Sequence, residues 1–129
     1  MTLEPSFMHK ADYTVFATLF REAFEKCFGR PLTAALSEPE SRRMSDVILE
    51  RTGLVIGWKS IKNYSIFILD HAHRREENPS LATLDTFARY VLDAPKIDEI
   101  QRQDQERQSS YWFQYRESHP TDAGRRRAS

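Results

Sequence analysis

Phenylalanine stands at every fourth position from 16 to 28, as Phe16, Phe20, Phe24 and Phe28, and Val15, Leu19, Ala23 and Cys27 form a parallel row one place earlier. Residues four apart stack along the same side of an α-helix, so the two rows make one broad apolar face over residues 11–28. Gly29 supplies a C-terminal stop, and Arg30-Pro31 leads the chain away from it. A face this wide, four aromatic rings among it, needs neighbouring helices to cover it.

The six prolines and four glycines leave long uninterrupted stretches, and those stretches repeat the helical period. Ser37-Glu38-Pro39-Glu40 has the form of a capping box, with Ser37 as cap, Pro39 in the first turn and Glu40 three residues on. It opens a second helix that runs to about Arg51, with Met44, Val47, Ile48 and the stem of Arg51 inward. Thr52-Gly53 ends that helix. A third helix is predicted from Gly57 or Trp58 to Leu69, with Ile61, Tyr64, Phe67 and Ile68 inward. Ser80 caps a fourth through Leu92, with Leu81, Leu84, Phe87, Ala88 and Val91 inward.

Beyond Pro95 the chain is polar but rich in helix formers, and Tyr111-Trp112-Phe113-Gln114-Tyr115 then gathers four aromatic residues into five positions. No alternating strand pattern and no internal repeat is present. These patterns predict an all-α chain, a small bundle of four to five helices. A flexible N-terminus (1–10) precedes a single helical domain (11–117), which has a core at 37–92 and one polar and aromatic C-terminal helix at 96–117. A disordered tail (118–129), ending in Arg125-Arg126-Arg127, follows.

Nineteen Lys and Arg balance nineteen Asp and Glu over 129 residues, which excludes a uniformly basic nucleic-acid coat or a polybasic membrane binder. The charge is nonetheless uneven: residues 41–75 hold seven Lys/Arg against three Asp/Glu, and residues 76–117 hold five against nine. The longest apolar run, Ile66-Phe67-Ile68-Leu69, stops at Asp70, far short of the ~20 residues of a membrane span. No targeting segment is evident at the N-terminus. Cys27 has no second cysteine to pair with, which suits a reducing cytoplasm.

The basic stretch coincides with a helix, the turn Thr52-Gly53-Leu54-Val55-Ile56, and a second helix carrying Trp58, Lys59, Ser60, Lys62 and Asn63. This is the layout of a helix-turn-helix, in which a turn glycine takes the difficult backbone angle and the second helix offers polar side chains to the major groove. The chain resembles helix-turn-helix domains of the phage-repressor type. More closely, it resembles an N-terminal module of Bacteroidota proteins that carries TG-x-x-I-x-x-x-T-[LI]-K and then P-S-x-x-T-L-D-x-[LF]-A-R-Y. The matching residues are Thr52, Gly53, Ile56, Ser60, Ile61 and Lys62, then Pro79, Ser80, Thr83, Leu84, Asp85, Phe87, Ala88, Arg89 and Tyr90. A compact repressor turn would bury Lys59, so the turn here is expected to be about two residues longer, with Ile61 and Tyr64 at the buried positions.

The resemblance implies a non-enzymatic, DNA-binding transcription regulator. Trp58, Lys59, Ser60, Lys62 and Asn63 would face double-stranded DNA, and Arg42, Arg43 and Arg51 would hold phosphates. The alternative is a protein-interaction or adaptor module, such as the N-terminal domain of a larger protein. If the aromatic cluster does not fold back to close the bundle, Tyr111, Trp112, Phe113 and Tyr115 form that protein interface. A homodimer is compatible with either.

Catalytic and metal chemistry find little support in the residues. His71, His73, Glu76 and Glu77 sit on a loop with no spacing that fixes a metal geometry, so no metal is expected. Cys27 lies on the apolar row of the first helix, where it acts as a small hydrophobe. No Gly-rich phosphate loop, Ser/His/Asp set or carboxylate pair in a plausible pocket is evident, so neither enzyme activity nor a cofactor is expected.

Overall fold

The computed structural model describes residues 10–70, 79–106 and 111–118. Residues 1–9 of the expected N-terminal segment, the loop bearing His71, His73, Glu76 and Glu77, and positions 119–129 of the expected tail lie outside the described residues. Among the described residues the regular structure is six helices and no strand: α1 (Lys10–Phe28), α2 (Glu38–Thr52), α3 (Trp58–Leu69), α4 (Leu81–Val91), α5 (Glu99–Glu106) and α6 (Tyr111–Ser118). The protein is a small all-α bundle. Among the described residues no helix is long and apolar enough to cross a membrane.

The double apolar row of α1 is buried from Val15 to Phe24, and Phe16 and Phe20 meet Tyr64 of α3 and Phe87 of α4. The Phe16 and Tyr64 rings are edge-to-face at 5.3 Å, and Phe20 and Phe87 likewise at 5.6 Å. Edge-to-face pairing brings the positive rim of one ring to the negative face of another, so this cluster adds about 0.5–1.5 kcal/mol per pair to the effect of burial. Gly29 then takes φ +74° and its N–H bonds to the Glu25 carbonyl at 2.7 Å, closing the helix in a left-handed conformation that a side chain would disfavour.

The capping box on α2 forms as the spacing predicts. Ser37 Oγ accepts the Glu40 N–H at 3.3 Å, and the Glu40 carboxylate accepts the Ser37 N–H at 2.9 Å. The buried side of α2 is Ser41, Met44, Ile48 and Thr52, with Val47 only half-buried and Arg51 exposed. On α3, Ile61, Tyr64 and Ile68 are buried as expected, but the fourth buried residue is Ser65 rather than Phe67. Ser65 Oγ accepts the Leu36 N–H at 3.0 Å, tying the 29–37 connection to α3.

Helix α4 occupies the centre. Seven consecutive residues, Leu84 to Tyr90, are buried, because α1, α2 and α6 all pack on it. A helix covered on one side alone buries every third or fourth residue, so Asp85 and Arg89 are enclosed here along with the apolar positions. They resolve the desolvation of two charges by pairing, Arg89 Nε to Asp85 Oδ2 at 2.8 Å, both side chains no more than 2% exposed. Leu81, expected inward, is instead on the surface. Helix α4 ends with Asp93 at φ +58°, the Ala94 N–H reaching back to the Arg89 carbonyl at 2.9 Å. Lys26 of α1 bonds Asp93 at 2.6 Å and braces that corner.

The single C-terminal helix expected over 96–117 is two helices. Asp98 and Gln101 cap the start of α5 reciprocally, at 2.8 and 3.0 Å, and α6 starts again at Tyr111. The second start is created by α4: Asp85 Oδ1 accepts the N–H groups of Tyr111 (2.6 Å) and Trp112 (3.2 Å), the amides a helix start leaves unpaired. Tyr115 donates its hydroxyl to Glu22 at 2.9 Å and Arg116 holds Asp12 at 3.2 Å, so α6 is fastened to α1 as well as α4.

Candidate nucleic-acid interface

The chain between α2 and α3 is held from both sides. Thr52 is buried, donates its hydroxyl to the Ile48 carbonyl at 2.7 Å and accepts the Leu54 N–H at 3.1 Å. Gly53 follows at φ +81°, with its N–H on the Leu49 carbonyl at 2.8 Å. Ser45 reaches across from α2 and donates to the Ile56 carbonyl at 2.6 Å. Leu54 and Ile56 turn into the core and Val55 turns out, 71% exposed. Gly57, in extended conformation, begins α3. Burial of Ile61 and Tyr64 matches the expected longer turn.

A second segment meets this turn. The Ile97 N–H bonds to the Thr52 carbonyl at 3.0 Å, and a Cβ on Gly53 would fall on the Ile97 carbonyl oxygen. Gly53 is thus required twice, by its backbone angle and by the close approach of residues 96–97.

The residues proposed to face DNA divide into two groups. Lys59 and Ser60 are exposed and Lys62 and Asn63 half-exposed on α3. Among the described residues, the side chains of Ser60, Lys62 and Asn63 have no hydrogen-bond or ion-pair partner. Trp58, half-buried at the start of α3, lies under the Arg42 guanidinium at 4.4 Å, with the Lys59 ammonium 5.8 Å from its ring centre. Arg42 also donates Nε to Glu38 at 2.8 Å, an i,i+4 pair on α2. Arg42, Trp58 and Lys59 therefore share one side of the helix pair, while Ser60 and Lys62 lie on opposite flanks of α3 to either side of Lys59.

Arg43 and Arg51 are on the other flank of α2. Arg43 is close enough to Cys27 of α1 to act on its thiol, and Arg51 acts on Tyr90 and Asp93 at the end of α4. Their separation from Arg42 follows from the helix: positions 43, 47 and 51 form one row and positions 38, 42, 45 and 49 another, on opposite sides of the buried Met44–Ile48 line. Burial raises the Cys27 thiol above its usual range and lifts the Tyr90 hydroxyl to about 12, where the Cys27 neighbour adds to the effect.

The aromatic cluster is not an exposed patch. Trp112 and Tyr115 are buried, and Tyr111 is half-buried beneath the Arg89 guanidinium at 4.5 Å. Only Phe113 stands on the surface, with Arg116 over its ring at 5.0 Å. The expected interface of Tyr111, Trp112, Phe113 and Tyr115 is thus largely core, because the Asp85 cap turns α6 back onto the bundle. Among the described residues the most exposed large apolar side chains are Val55 and Ile100, the latter 72% exposed on α5, and the sequence reading singled out neither.

Among the described residues no three His, Cys, Asp or Glu side chains are grouped so as to hold a metal ion. Comparison of the chain with protein-family models, with curated proteins and with solved structures finds no match.

Proposed function

We propose that this chain is a helix-turn-helix-like DNA-binding regulatory module of the cytoplasm, non-enzymatic, with α3 as the helix that enters the major groove. The observation that carries the reading is the run of Lys59, Ser60, Lys62 and Asn63 on α3, beside a turn whose backbone is anchored by Thr52, Gly53 and Ser45. Unpartnered polar side chains on a well-anchored helix suit recognition: the Asn amide accepts from adenine N6 through its oxygen and donates to N7 through its NH2, and Lys reaches guanine or phosphate. Arg42 supplies a phosphate contact from α2. The resemblance to repressor-type domains over residues 45–92 points the same way.

Binding of labelled duplex DNA across a salt series tests this. Micromolar binding at ~50 mM salt that weakens steeply as salt rises, and that disappears in Lys59→Glu/Lys62→Glu, is the expected result. No wild-type binding under those conditions rejects it. Val55 and Ile100 favour a second reading, a protein-interaction module, because both are largely exposed and their segments adjoin where Ile97 meets Gly53. That reading expects loss of a protein partner, with DNA unaffected, in Val55→Asp.

A further inference from the structure

The position of Trp58 argues against a base-reading role. One face of its ring is covered by the Arg42 guanidinium at 4.4 Å, and the Lys59 ammonium stands 5.8 Å from the ring centre. An indole offers a single N–H donor and no acceptor, so with a face occupied it has little left with which to tell one base pair from another. Arg42, by contrast, is restrained in two independent ways. Its plane is held by the indole and its Nε edge by Glu38 at 2.8 Å. Among the described residues the two Nη groups have no hydrogen-bond partner and the side chain is 55% exposed, which leaves free the fork that matches two oxygens of a phosphate. A long, exposed side chain is thereby biased toward one orientation before any ligand arrives, which reduces the ordering cost of binding.

We infer that Trp58 is a positioning residue whose ring, together with Glu38, presents Arg42 to a backbone phosphate beside α3. The inference rests on the DNA-binding reading above and assigns a non-reading role within it. Lys59, Ser60, Lys62 and Asn63 carry the sequence preference; Arg42 and Trp58 act as one unit that sets register along the backbone.

The test uses the full chain and two duplexes of different sequence, with affinity measured from ~50 to ~200 mM salt. The variants are Arg42→Gln, Trp58→Leu, Trp58→Phe and the double Arg42→Gln/Trp58→Leu, each checked for folding by circular dichroism. Loss of one phosphate contact lowers the slope of log affinity against log salt by about 0.9. Arg42→Gln is expected to show that change equally on both duplexes. Trp58→Leu, which keeps apolar bulk but removes the π face, is expected to show most of it, and the double variant no more than Arg42→Gln alone. Trp58→Phe restores the slope. Wild-type binding with an unchanged slope in Trp58→Leu, or a Trp58→Leu loss that differs between duplexes and adds to that of Arg42→Gln, overturns the positioning role while leaving DNA binding intact. Absence of wild-type binding overturns both.

Discussion

Asp85 on α4 accepts the backbone N–H of Tyr111 at 2.6 Å, so that a buried carboxylate in the middle of one helix is the cap of another, 26 residues on. The same carboxylate holds Arg89 through its second oxygen and Trp112 through its first. These donors from the described residues meet a side chain only 1% exposed, and each bond replaces one that water would have made.

Asp85→Ala should therefore be among the most damaging single changes in the chain. It leaves the Arg89 charge buried without its carboxylate and uncaps α6, a combination expected to cost about 3–5 kcal/mol. Tyr115→Phe removes only a part-buried hydrogen bond to Glu22 and should cost about 1 kcal/mol. Urea unfolding of the two variants measures both, and a loss for Asp85→Ala no larger than for Tyr115→Phe contradicts the assigned role.

Much of this fold was legible before any coordinates. The Phe16–Phe28 row, the Ser37–Glu40 box and the Ser80 cap are local signals, written within one or two turns of chain, and the helices start and stop where they indicate. Burial of Ile61 and Tyr64 was legible too, because placing Lys59 in a core is untenable. What escaped is long-range. Periodicity assigns α4 one inward face and cannot register that α6 returns to cover the other, so Asp85 and Arg89 fall outside the inward set it gives. No Pro or Gly marks a new helix start within residues 96–117, and the start of α6 at Tyr111 is capped by a carboxylate supplied from α4. Within the candidate site, three arginines on one helix looked equivalent until their opposite flanks met different neighbours.

The two left-handed glycines separate backbone angle from steric contact. Gly29 and Gly53 have φ +74° and +81°, but a Cβ on Gly29 meets nothing within 4 Å, whereas one on Gly53 meets the Ile97 backbone. Gly29→Ala should cost about 1–2 kcal/mol, the penalty for a side chain in this conformation. Gly53→Ala should cost distinctly more, since Ile97 must retreat and its bond to the Thr52 carbonyl is lost. Equal losses in thermal or urea unfolding would show that residues 96–97 do not press on the turn.

Acid should loosen the start of α2. The backbone N–H of Ser37 bonds the Glu40 carboxylate and, with Arg30 beside it, holds its titration below the ordinary value of 4.5. A carboxyl depressed in the folded chain favours folding above its unfolded value and loses that contribution as pH falls through the folded one. Stability should therefore decline as pH drops below about 4.5. Glu40→Gln, which keeps the capping geometry without a titrating group, should shrink the part of the decline due to this site. An identical acid limb in wild type and Glu40→Gln would assign the decline to other carboxylates.

The division of the arginines over two flanks of α2 can be read at Cys27. Burial raises this thiol, and Arg43 opposes the rise by favouring the thiolate. Since the thiolate is the reacting species, labelling of the folded chain by a disulfide reagent at pH 8 should be slower than that of the unfolded chain. Removing the nearby positive charge in Arg43→Gln should slow it further. Arg42→Gln should leave the rate unchanged, because Arg42 is engaged with Trp58 and Glu38 on the opposite side. The same variants read in DNA binding should reverse: Arg42→Gln lowers the salt dependence and Arg43→Gln, facing α1, has the smaller effect. A larger change in thiol reactivity from Arg42→Gln than from Arg43→Gln would place the arginines wrongly and remove the geometric basis for assigning the phosphate contact to Arg42.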